Sequence, residues 1–147
     1  MVFSLSQRYV RNLLKEINFY PINWSEYKYH STLQISDFVE TLIEPKVSND
    51  FFFRTKLGLH EAIINAVIHG NSGDPSKLVR VRRIFTPNWR IWQVQDEGNG
   101  FIHKSSENNL PDDIESIDGR GLFLINQCFD DVRWSPRGNR LQLANRK

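Results

Sequence analysis

The stretch from Phe51 to His69, FFFRTKLGLHEAIINAVIH, constrains the fold of this chain most. Placed on a helix at about 100° per residue, residues 54 to 69 put Leu57, Leu59, Ile63, Ile64, Val67 and Ile68 over most of the circumference. A helix so apolar is largely buried. Asn49 and Asp50 offer caps at its start, and Gly70 is placed to stop it. The remaining sector carries Arg54, Gly58, Glu61, Asn65 and His69, and the last three follow the i, i+4, i+8 spacing that aligns side chains. An ordinary solvent-facing stripe has the same spacing. Two features set this one apart: a mid-helix glycine, costing about 1 kcal/mol relative to alanine, and flanking Ala62 and Ala66, which leave room for a neighbour. Glu and Asn one turn apart also suit a carboxylate that activates a hydroxyl or water beside an amide oxygen that holds Mg²⁺.

Around this helix, the chain reads as interleaved helices and hairpins. Residues 4 to 19 form an amphipathic pattern with Ser4 as N-cap. Residues 24 to 32 read as a strand, and residues 33 to 44 as a helix stopped by Pro45. Alternating runs at 77 to 85 and 89 to 95 flank the turn Thr86-Pro87-Asn88, and two short strands, 131 to 135 and 140 to 143, flank Pro136 to Asn139. The expected fold is α+β: a two-layer sandwich of a mixed, mostly antiparallel sheet with helices on one face. The 147 residues suit one domain, assigned to 24 to 147, with residues 1 to 23 as a helical extension.

Between strand and helix patterns lie two glycine pairs. DEGNGF, residues 96 to 101, closes the second alternating run, and a tight turn alone would account for Gly and Asn there. Gly119-Arg120-Gly121 stands before the apolar run Leu122 to Phe129, where free backbone N–H groups and the positive dipole end favour phosphate. Arg120 adds a charge to a bound phosphate or simply faces solvent. The polar segment from 102 to 118 is long for a structureless connection, and such loops are usually lids, binding loops or disordered.

Charge and composition exclude more than they assign. A net charge of +2 is too small to argue for nucleic acid, and no direct nucleic-acid partner is expected. Arg80, Arg82 and Arg83 alternate with Val79, Val81 and Ile84 and read as the solvated side of a strand, with an acidic partner as the minority alternative. The single Cys128 can form no internal disulfide and packs as a small hydrophobe, which suits a reducing cytoplasm. No run approaches the roughly twenty apolar residues of a membrane span, and Arg8 and Arg11 interrupt any signal-like start.

HEAIINAVIHGN, DEGNGF and GRGLFLI, in that order, resemble the three motifs of the GHKL ATPase superfamily. This superfamily includes gyrase, the ninety-kilodalton heat-shock chaperone, the histidine kinases and the mismatch-repair ATPase. The likeness is strongest to the bacterial anti-sigma-factor serine kinases and spans residues 24 to 145. It implies the Bergerat-type fold and bound ATP with Mg²⁺. By motif match, Asp96 accepts a hydrogen bond from the adenine amino group, and Gly98 and Gly100 let backbone approach the nucleotide. Glu61 matches the general base and Asn65 the metal ligand, while Gly119, Arg120 and Gly121 lie in the phosphate-binding turn. Histidine-kinase ATP domains usually carry Asn where Glu61 stands, and the chain has no recognisable phosphoacceptor-histidine helix.

The resemblance implies a cytoplasmic serine/threonine kinase that sequesters a sigma factor and phosphorylates its antagonist protein. The rival reading is a nucleotide-gated binding module of the same fold that moves no phosphate; a weaker one is a plain interaction domain. Residues 1 to 23 fall outside the family pattern and offer a contact for a homodimer or a partner. A shared fold does not by itself fix the partner.

Overall fold

Alternation of apolar and polar residues builds one sheet, because neighbouring residues on a strand face opposite sides. The computed structural model describes residues 23–100 and 117–147. Within it, strands β1 (Asn23–His30), β2 (Leu78–Phe85), β3 (Trp89–Gln95), β4 (Asp131–Trp134) and β5 (Arg140–Arg146) lie in the order β1-β2-β3-β5-β4. Every pairing among the described residues is antiparallel, so the parallel contribution expected of a mixed sheet is not seen there. Residues 4 to 19 and most of 102 to 118 lie outside the described residues.

Three helices cover one face: α1 (Ser36–Thr41), α2 (Asn49–Asn65, continued by a π-helical turn, Ala66–Gly70) and α3 (Ile117–Cys128). Val39 of α1, Leu59 and Ile63 of α2 and Ile125 of α3 share a single core with Val79, Val81, Trp92, Val94, Leu141 and Leu143 of the sheet. Burial of each such side chain contributes about 1.5–3 kcal/mol. Trp92 sits at the centre, fully buried, with its indole N–H donating to the Leu42 carbonyl at 2.9 Å. The fold is thus the α+β sandwich that the sequence led us to expect.

Local chemistry moves several boundaries. α1 spans six residues rather than twelve. After it, Leu42 and Ile43 donate to carbonyls three residues back, and Lys46, just past Pro45, takes φ 67°. Proline disfavours helical geometry in the residue before it, so the helix cannot continue. The cap of α2 is Ser48, whose hydroxyl accepts from Phe51 N at 3.3 Å, and not Asn49 or Asp50, which lie inside the helix. Its outward side is also less apolar-buried than the periodicity suggests, since Leu57 and Ile68 are each 44% exposed.

Two residues are placed by contacts that the sequence does not show. Gly58 gives its room to another element: a methyl group there would overlap the Phe129 ring and lie 2.7 Å from Cys128 Cβ. Arg83 is not on the solvated side with Arg80 and Arg82. It pairs with Ser25 and Trp92 on the helix-facing side, donates to the Thr41 carbonyl at 3.0 Å, and lies over the rings of Tyr27 and Phe85. Arg82 does face away, bound to Glu26 at 2.7 Å. Cys128 is buried, as its apolar neighbours imply, and burial raises its thiol pKa above the ordinary range.

Candidate functional site

Sheet register creates the floor of a cleft. Val94 is opposite Leu141, and Leu141 is opposite Trp134, so three helix-facing side chains form a continuous apolar row across β3, β5 and β4. Above them run Ala62 and Ala66 of α2 and Leu122 of α3, and together these residues line a cleft of about 460 Å³. The alanines matter because longer side chains would fill the gap between helix and sheet. The result is an apolar slot, the usual setting for a planar ligand whose orientation is set by a few polar groups.

Asp96 stands at the end of β3 and lines this cleft with Gly98, Asn99 and Gly100. Its Oδ1 accepts the Gly98 N–H at 2.8 Å, and its own N–H donates to the Asn139 carbonyl at 3.0 Å. Burial raises the carboxyl pKa above the usual carboxylate range. The Gly98 and Asp96 N–H groups and the charges of Lys77 and Arg137 pull the other way. A buried carboxylate in an apolar slot is a strong acceptor waiting for a donor.

The glycines of this turn are explained largely by the chain itself. A methyl group at Gly98 would overlap the Gly70 carbonyl, and one at Gly100, where φ is +77°, would overlap the Arg137 carbonyl. Their freedom therefore lets the DEGNG turn approach the end of α2 and the β4–β5 connection, while both residues still line the cleft. Gly70 has a related role. It is no left-handed helix stop, since the positive backbone angles come later, at Ser72 and Gly73. A methyl group on Gly70 would overlap the Asp96 carboxyl carbon.

Asn65 lines the cleft one turn before His69. Glu61 and Asn65 meet at Gly121 of α3, where an added methyl group would lie 3.3 Å from Glu61 Oε2 and 3.5 Å from each amide atom of Asn65. The three residues therefore converge from two helices. Gly119 and Gly121 lie within the first turns of α3, which begins at Ile117, and not before it. Arg120 is exposed and, like Glu61 and Gly121, is not among the residues that line the cleft.

Lys77, Trp134 and Asn71 were not singled out from sequence. Alternation along β4 puts Trp134 on the same side as Val132, toward the helices, and this signal was available. Lys77 offered none, since a lysine at the start of a strand is normally solvated. Asn71 ended the quoted motif, but its fully buried amide becomes visible only in three dimensions.

The slot, the carboxylate at its end and the Glu-Asn pair beside a glycine fit a purine nucleotide with a divalent ion. Asp96 would face an exocyclic amino group and Asn65 the ion. No curated protein matches the chain. A family model described as the histidine kinase-like ATPase domain matches residues 30–144. That span holds β2, β3 and β4 whole, β5 up to Ala144 and only the last residue of β1, and it includes every cleft residue named above. The chain belongs to the histidine kinase-like ATPase domain family of the GHKL superfamily, whose members bind ATP.

Proposed function

We propose that the protein is an ATP- and Mg²⁺-dependent anti-sigma regulatory factor, which binds a sigma factor and phosphorylates a serine or threonine of an antagonist protein. The observation that carries this reading is the convergence of Glu61 and Asn65 on Gly121. A carboxylate at that place gives the family's nucleotide cleft a base for an incoming hydroxyl. When bound, ATP supplies the phosphoryl group and Mg²⁺ neutralises charge on its oxygens.

The remaining work falls to the chain. Asp96 accepts a hydrogen bond from the base and fixes its orientation. Ala62, Ala66, Val94, Leu141 and Trp134 exclude water from its faces. Asn65 presents its amide oxygen to the ion. Glu61 takes the proton from the serine hydroxyl as that oxygen attacks, and the absence of a side chain at Gly121 keeps the approach open. Positioning and charge neutralisation then supply most of the rate.

The test is transfer of radiolabel from γ-labelled ATP, with Mg²⁺, to a serine-bearing antagonist purified with its sigma factor. We expect label on the antagonist at a single hydroxyl. A chain that binds ATP and the sigma factor but never labels the antagonist is instead a nucleotide-gated binding module.

A further inference from the structure

Asn71 follows the π-helical turn and is fully buried, beneath the junction of α2, β2 and the DEGNG turn. Its Nδ2 donates to Ser31 Oγ at 2.6 Å and to the Leu78 carbonyl at 3.1 Å, and its Oδ1 accepts from the Glu97 N–H at 2.8 Å. The Leu78 carbonyl can only accept and the Glu97 N–H can only donate, so these partners fix which amide atom is oxygen. The lock closes on itself, because Leu78 N–H donates to Glu97 Oε2 at 2.9 Å. The backbone N–H of Asn71 donates to the Ala66 carbonyl at 2.8 Å, which ties the same residue to the end of α2.

These bonds bracket Asp96. On one side the main chain of Asn71 holds the turn that brings Gly70 against the Asp96 carboxylate; on the other its side chain holds Glu97, between Asp96 and Gly98. Adenine presents an N–H donor where guanine presents a carbonyl, so a carboxylate discriminates between them only if held in register with that edge. We propose that Asn71 is the positioning residue for base selection, fixing Asp96 so that the cleft prefers ATP over GTP. The inference rests on the reading of Asp96 as the base-facing acceptor.

Calorimetry with Mg-ATP and Mg-GTP tests it on the full chain and on Asn71→Ala, Ser31→Ala, Asp96→Asn and the Asn71→Ala/Asp96→Asn pair, each with its melting temperature. Asn71→Ala strands the Glu97 N–H and should lower the ATP-to-GTP affinity ratio about tenfold or more, the scale of one lost buried hydrogen bond. Ser31→Ala removes an acceptor of the same amide but leaves Glu97 satisfied. It should lower the melting temperature with the ratio unchanged. In the Asp96→Asn background, Asn71→Ala should cost no further ATP affinity, the non-additivity expected of residues acting through one another.

A ratio that falls in step with melting temperature in both Asn71→Ala and Ser31→Ala overturns the proposal, as does additivity in the double variant. Should Asn71→Ala not fold, hydrogen exchange on the wild type decides. The Glu97 and Gly98 amides should be protected without nucleotide, and exchange at open-loop rates refutes the positioning role. Wild-type protein that binds ATP and GTP equally removes the base reading of Asp96 itself, whereas discrimination that survives Asn71→Ala removes only the role of Asn71.

Discussion

Gly70 and Asp96 touch so closely that no side chain can stand between them: a methyl group on the glycine would overlap the carboxyl carbon of the aspartate. The end of the long helix and the end of β3 are thereby pressed together at the end of the cleft. Gly70→Ala should lower stability by about 1–3 kcal/mol, the usual cost of overpacking, and abolish ATP binding by displacing the carboxylate. Thermal unfolding and calorimetry check both, and a well-folded alanine variant with full ATP affinity would contradict the contact.

Asp96→Asn should separate binding from folding. The amide can still accept the Gly98 N–H, but it places a donor or a weaker acceptor toward the base, so ATP affinity should fall by about 1–3 kcal/mol. Stability should move the other way. The folded-state pKa of Asp96 is raised, mainly by burial, so the fold favours the protonated acid. Its contribution is fully present below the unfolded pKa and is lost as pH rises through the folded one. As pH rises the fold increasingly disfavours the ionised carboxylate of Asp96, a cost that the neutral asparagine does not carry. The variant should therefore melt higher than wild type at pH 7, with the gap shrinking as pH falls toward the carboxylate range. A gap that is constant with pH would show that ionisation of Asp96 does not matter to the fold.

Glu61→Ala should leave ATP affinity and sigma-factor binding intact while phosphotransfer drops. A general base typically contributes about 10²–10⁴-fold, and single-turnover labelling of the antagonist measures the loss directly. Wild-type rates in this variant would take the proton from Glu61 and give it to another group.

Mg-ATP at a hundredfold excess over its dissociation constant should stabilise the fold by about 2.7 kcal/mol, read as a rise in melting temperature, and Mg-GTP should do much less. Equal shifts would mean that the cleft reads phosphate and not base.

Gly58→Ala probes the second close approach, between α2 and the end of α3. The added methyl would meet Phe129 and Cys128, both buried, and overpacking there should cost about 1–3 kcal/mol. Because Gly58 is outside the cleft lining, the folded fraction should keep wild-type ATP affinity in a titration; a weakened one would tie α3 packing to the site.

Periodicity was enough to place β3 to the residue and β2 to within one, because each alternates a buried side with a polar one. It also set Glu61 and Asn65 on one stripe of α2, whereas Asp96 stood out only through the likeness of DEGNGF to a family motif. What it could not supply was contact. Gly58 and Glu61 share the same helical sector, yet one packs against a phenylalanine and the other faces Gly121, and only the crossing of α3 tells them apart. Arg83 read as solvated because arginine usually is, whereas a carbonyl and two aromatic rings at the sheet's margin give it a partner on the inner side. Asn71 was hidden for the converse reason. An asparagine after a glycine reads as a turn, and burial with three side-chain hydrogen bonds is a property of its neighbours' arrangement.

The wide turn from Ala66 to Gly70 sets a limit on how this protein can be improved or pared down. Such a turn amounts to an α-helix carrying one surplus residue. Deleting a residue there would restore regular hydrogen bonding and remove an irregularity that any stability-driven redesign would target. It would also swing everything downstream by about 100° around the helix axis, carrying Gly70 away from Asp96 and Asn71 away from its partners. The repaired helix would be the better helix and the worse protein, so lineages of this fold should tolerate substitutions along the α2 surface far more readily than a change of length at its end.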